Sequence, residues 1–151
     1  TEAALPSTRT VLIPACYGDA CGPDLVHVAQ HCGLDAAEVV ARHQAATYRV
    51  AFIGFLPGFP YLIGLDPALH LPRRATPRTR VPAGSVAIGG AQTGIYPVAS
   101  PGGWHVLGRT AARLFDPGAA SPSLLRAGDQ VRFRAVGMQE LAQAEVEVAG
   151  A

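Results

Sequence analysis

At 151 residues the chain has the length of one domain, long enough to bury about two-thirds of the surface its unfolded form exposes. Twelve basic and eleven acidic residues leave a formal charge of +1, which gives no electrostatic reason to expect nucleic acid or an acidic membrane as a partner. All twelve basic residues are Arg, so a Schiff-base lysine, a biotinyl-lysine and a Gly-x-x-x-x-Gly-Lys phosphate loop are excluded within the chain, as is glycosylation, for want of Asn.

In chain order, residues 1–9 read as a linker: they lack an initiating Met, a basic region and an apolar core, so they are not a signal peptide. The expected domain runs from 10 to 151, as part of a larger protein. No apolar run approaches the ~20 residues of a membrane helix. Residues 10–15 predict a short strand with Pro14 near its end. Gly22-Pro23-Asp24-Leu25 then announces a helix that Gly33 closes, and Asp35-Ala-Ala-Glu38 starts a second helix through about His43. Cys16, Cys21 and Cys32 are odd in number and lack Cys-x-x-Cys spacing, which favours reduced thiols in a cytosol over a zinc site or a disulfide framework.

From Tyr48 onward the texture changes to short strands broken by Gly and Pro, predicted at 48–55, 85–89, 94–98, 103–109 and 130–136. Their spacing suggests a closed or nearly closed β structure rather than a βαβ sheet. Residues 139–147 read equally as a terminal helix or a last strand. Within this region Pro57-Gly58 predicts a type II turn that presents or packs Phe59 and Tyr61. Both a packed loop and an aromatic pocket wall fit that segment.

Three stretches carry polar candidates. Leu71 to Gly84 holds four arginines between Pro72, Pro77 and Pro82, and Arg78 and Arg80 would point the same way along an extended strand. A stiff loop of guanidinium groups suits a carboxylate, a phosphate or an acidic surface; solvated surface charge is the plain alternative. Ser100-Pro-Gly-Gly-Trp-His105 turns into a strand, with Trp104 and Val106 on one face and His105 and Leu107 on the other, so His105 is a candidate acid, base or hydrogen-bond donor. Gly89-Gly90 is followed by strand-like residues and so is not a dinucleotide loop, though Gln92 and Tyr96 would reach a ligand beside it. His27 and His31 share a helix face without a carboxylate to complete a metal site, and no metal is expected. Asp66, Asp116 and Asp129 sit in turn contexts and read as structural.

Taken in order, Phe55-Leu-Pro-Gly-Phe-Pro-Tyr-Leu62, the segment from Pro72 to Gly90, Gln92-Thr-Gly-Ile-Tyr-Pro97, Ser100-Pro-Gly-Gly-Trp-His105 and Arg126-Ala-Gly-Asp-Gln-Val-Arg-Phe133 resemble the KipI/allophanate hydrolase subunit 1 family. Most of its members are regarded as the B subunit of a bacterial ATP-dependent 5-oxoprolinase. The resemblance spans about residues 10 to 136. It implies a mainly β fold, a cyclophilin-like barrel with two short helices near the amino terminus, and a missing N-terminal family domain. It further implies a cytoplasmic hydrolase component that opens 5-oxoproline to glutamate with ATP. The partners it implies are a second cyclophilin-like barrel (the C-type component of the enzyme) and an A-type hydrolase. Two other readings come with the family: a binding module that inhibits a histidine kinase, and allophanate or urea-derived amide chemistry.

Within that frame the expected site residues are His105 and Arg80 as catalytic groups and Arg78 as an anion holder. Gln92 and Tyr96 would orient an amide or carbonyl, and Phe59, Tyr61 and Trp104 would form the apolar wall.

Overall fold

A computed structural model describes residues 9–54 and 56–150. The expected linker therefore falls outside the described residues except for Arg9, which is tied into the domain: its Nη2 donates to Leu124 O at 2.7 Å and its guanidinium pairs with the Asp129 carboxylate.

Seven strands close into a barrel. They are β1 (Thr10–Tyr17), β2 (Tyr48–Ile53), β3 (Pro60–Ile63), β5 (Ser85–Gly89), β6 (Gln92–Ile95), β8 (His105–Arg109) and β9 (Gln130–Ala135). The order around the barrel is β1-β8-β5-β6-β3-β2-β9, and a parallel β9–β1 pairing closes it. A short pair, β4 (Arg78–Val81) with β7 (Ser100–Gly102), lies apart from that sheet, and β10 (Glu147–Ala149) adds to the edge of β1. The helices are α1 (Leu25–Cys32), α2 (Ala36–Ala45) and the one-turn α3 (Met138–Leu141). Among the described residues no helix is long and apolar enough to cross a membrane.

Pro14 lies inside β1 rather than near its end, and the pairing shows how the strand tolerates it. On one side β1 takes β10 at residues 10–12 and β8 at residues 16–17, so Pro14 falls in the gap between two partners. A residue without an N–H costs nothing where no ladder bond is made. At the other end of the chain, the ambiguity over residues 139–147 reflects a segment that holds both forms: α3 and then β10.

Both predicted helices form. Asp35 caps α2 by accepting from Glu38 N at 2.8 Å, and Gly33 ends α1 at φ 70°, the left-handed conformation that glycine takes without a Cβ penalty. The Pro57-Gly58 turn also forms, with Gly58 at φ 81° and Phe59 N donating to Leu56 O at 3.0 Å. A strand that the sequence pattern does not announce, β3, begins directly after this turn.

Two cores result. The barrel interior packs Ile13, Tyr48, Val50, Leu62, Val86, Ile88, Ile95, Leu107, Val131 and Phe133, with Val28 and Val39 of the helices against it. A second cluster of Phe59, Val81, Ala87, Tyr96, Trp104 and Val106 is separate. Val86 and Ile88 belong to the first and Ala87 to the second, so β5 divides them by simple alternation. Cys16, Cys21 and Cys32 are free thiols, and burial pushes Cys16 up to about 11, which makes it a poor nucleophile at neutral pH.

Candidate functional site

The arginine loop, the start of α1 and the start of β8 meet at one carboxylate. Asp24 is buried at 3% exposure and immediately precedes α1, yet its side chain does not cap that helix. It receives Arg78 through two bonds, Nη1 to Oδ2 at 2.5 Å and Nη2 to Oδ1 at 2.7 Å, together with Arg74 Nη1 at 3.0 Å and Val106 N at 2.7 Å. Burial alone would push the carboxyl up. Hydrogen bonds from Arg78 and Val106 N, with the charges of Arg78 and Arg74, outweigh it and hold Asp24 below the usual carboxylate range. In the sequence Asp24 reads only as a first-turn acid, and its role at the site goes unseen. A cluster of arginines between prolines calls for a counter-charge, but nothing local says which acid supplies it.

Arg78 and Arg80 do not share one environment. A register shift in the β4–β7 pairing between Arg78 and Val81 breaks the expected alternation; Arg78 turns in to Asp24 while Arg80 is exposed.

His105 is buried at 3% exposure, and its Nε2 lies 2.8 Å from Pro72 O. A carbonyl only accepts, so Nε2 carries the proton and donates. The ring of His27 on α1 stacks on His105 with centroids 5.5 Å apart and planes 19° apart. Burial lowers the His105 pKa, partly offset by the bond to Pro72 O and the charge of Asp24, so the ring is neutral at physiological pH. Together with His27, His31 and residues 71–75, His105 lines a pocket of about 200 Å³. Among the described residues no group of three or more His, Cys, Asp or Glu side chains is placed to hold a metal ion.

On the other side of the loop, Gln92 lines a wider cleft of about 570 Å³ with Ile63, Leu65, His70, Arg73 and residues 89–91. Arg73 borders both spaces and lies over the Trp104 ring at 5.5 Å from its centroid. Neither Arg73 nor His70 stands out in the sequence. Gly89 ends β5 opposite Gln92, and Gly90-Ala91 make the tight connection to β6, as expected of a strand connection and not of a nucleotide loop.

The aromatic candidates come together beneath this cleft. Phe59, Tyr96 and Trp104 are buried; Phe59 meets Tyr96 edge-on at 5.3 Å and Trp104 edge-on at 5.6 Å, and half-buried Tyr61 lies 4.9 Å from Phe59. Glycines make room for these rings. A Cβ on Gly94 would stand 2.7 Å from Phe59 Cζ and 3.0 Å from Trp104 Cζ3, and one on Gly102 would stand 2.0 Å from the Tyr96 hydroxyl. Burial raises the Tyr96 pKa, so its phenol stays protonated. Tyr96 and Phe59 thus act from below as a packed floor, with Gln92, Arg73 and His105 at the accessible spaces.

A closed β-barrel flanked by two helices, with a cationic loop over one end, is the cyclophilin-like architecture that the motifs implied, and solved structures share it. A conserved uncharacterized protein from Pyrococcus horikoshii superposes with a TM-score of 0.85 at 48% identity, over 87% of this chain and 61% of that one. The chain belongs to the carboxyltransferase domain family, subdomain C and D, which matches residues 1–125. It is similar to the 5-oxoprolinase B subunit of Escherichia coli O157:H7, at 57% identity over 88% of this chain and 61% of that protein. To the 5-oxoprolinase B subunit of Haemophilus influenzae it is 53% identical over 87% of this chain and 62% of that protein. The chain therefore spans about three-fifths of the length of these relatives.

Proposed function

We propose that this chain is the barrel portion of the B subunit of an ATP-dependent 5-oxoprolinase, which opens the lactam of 5-oxoproline to glutamate in concert with partner subunits. The observation that carries this reading is identity of 53% and 57% to two 5-oxoprolinase B subunits across nearly the whole chain. The chemistry of the site supports it. A small anionic lactam needs a cation for its carboxylate and polar groups for its amide, and Arg73, Arg74, Gln92 and His105 line spaces that supply both beside an apolar floor.

The described residues do not fit a nucleotide site of the phosphate-loop kind. The chain has no Lys, and its Gly-Gly turn joins two strands instead of opening a helix. We therefore assign ATP to a partner, with a C-type barrel and an A-type hydrolase completing the active site. Three free thiols suit the cytoplasm, where thiols stay reduced. The test is glutamate release from 5-oxoproline and ATP with all purified subunits present. Turnover that stops when this chain is left out supports the proposal; full turnover without it overturns it.

A further inference from the structure

One polar atom at the loop points to a ligand. His105 Nδ1 is buried and, among the described residues, has no hydrogen-bond partner. Because Nε2 holds the proton against Pro72 O, Nδ1 of the neutral ring is a bare lone pair that can only accept. A buried acceptor left unpaired is costly, and a molecule bringing an N–H or O–H group relieves that cost. The pocket that His105 lines, between α1 and the arginine loop, also contains Arg73 and Arg74. Among the described residues Asp24 is the carboxylate bonded to this group of arginines, and it is engaged by Arg78 and Arg74 together, so the cluster keeps a cationic excess. At about 200 Å³ the space is smaller than the ~300 Å³ at which drug-sized sites begin, so it suits a small metabolite.

We propose that this pocket binds a small carboxylate that also carries an N–H or O–H donor, the carboxylate meeting Arg73 and Arg74 and the donor meeting His105 Nδ1. His105, which the sequence offers as an acid, a base or a hydrogen-bond donor, then acts in binding as an acceptor through Nδ1. The lactam N–H and carboxylate of 5-oxoproline have this pattern, and naming that molecule rests on the function proposed above.

Two pairs of probes test the pocket in the whole protein by calorimetric titration: 5-oxoproline against N-methyl-5-oxoproline, and glycolate against methoxyacetate. Each pair differs in one donor. The wild-type protein is expected to bind at least one donor-bearing probe about tenfold tighter than its methylated twin. His105→Gln keeps an amide donor where Nε2 stands and removes Nδ1, so it should bring that ratio close to one. A ratio unchanged in His105→Gln, or no discrimination in either pair, overturns the proposal. Should that variant fail to fold, ¹⁵N spectra of the wild-type imidazoles decide: the His105 Nδ1 resonance should move upfield with the donor-bearing probe and stay in place with the methylated one. Discrimination confined to the glycolate pair would uphold the pocket while removing support for 5-oxoproline. Absence of discrimination by the wild-type protein, with glutamate release intact, would remove the pocket and leave the oxoprolinase reading standing.

Discussion

Arg78 grips Asp24 through both terminal guanidinium nitrogens, at 2.5 and 2.7 Å, and the pair joins the arginine loop to the start of α1. The carboxylate side chain is 4% exposed and that of Arg78 23%, so water screens the contact poorly. Removing one partner strands a buried charge. Asp24→Ala, which also leaves Val106 N–H without its acceptor, should lower unfolding free energy by about 3–5 kcal/mol in urea titrations with an unchanged m-value. A loss below about 1 kcal/mol would show that the triad is surface-like.

Asp24 also sets an acid limit. Its folded pKa is held below the unfolded value of about 3.9, so its contribution is present above that pH and is lost as pH falls toward the folded pKa. In Asp24→Asn the stability decline below about pH 4 should be shallower than in the parent, as followed by chemical unfolding at stepped pH.

His43 acts earlier on the same limb. It is fully buried, with Nδ1 2.7 Å from the Tyr17 hydroxyl and Nε2 3.3 Å from Thr93 Oγ1, and burial lowers its pKa to about 3. The unfolded chain takes up this proton near pH 6.5 and the folded one does not, so stability is full above 6.5 and falls between 6.5 and about 3. The loss across that window is on the order of 5 kcal/mol. His43→Gln should flatten it, at some cost in stability at pH 7; an unchanged slope would mean that His43 is protonated in the folded protein.

The glycine-on-aromatic packing gives a steric test. In Gly94→Ala the new methyl would meet Phe59 at 2.7 Å, with aromatic neighbours on the same side. A loss of about 1–3 kcal/mol and a changed Trp104 emission are expected. Wild-type stability and emission would show that the rings yield freely.

Arg80 tests the site itself. It is exposed and should tolerate Ala within about 0.5 kcal/mol, while glutamate release by the assembled enzyme is expected to fall by at least tenfold. Full turnover in Arg80→Ala would remove this residue from the catalytic set.

The sequence is most informative where structure is local. Gly33, Asp35 and Pro57-Gly58 each make the cap or turn their chemistry dictates. Parts of three motif segments also meet at one loop, where Gln92, His105, Arg73 and Arg74 line adjoining spaces. Residues whose meaning lies in distant partners are harder. Asp24 reads like any acid before a helix, because Arg74, Arg78 and Val106 are invisible in its neighbourhood. Phe59 and Trp104 look the same in a sequence whether they line a pocket or pack over Gly94. Pro14 reads as a strand end because its tolerance depends on a gap between two strands from elsewhere in the chain.

The bonds to Asp24 also bear on when the site comes into being. Its three partners lie 50, 54 and 82 positions along the chain, so each contact closes a long loop. Loop-closure entropy makes such contacts slow to form, as it does the β1–β9 pairing, in which Thr10 meets Gln130 to close the barrel. The joining of the helix, the loop and β8 is thus a long-range step like barrel closure itself, and a chain that has not made it has no receptor. A ligand that bridges the loop and β8 would favour that step and slow its reversal.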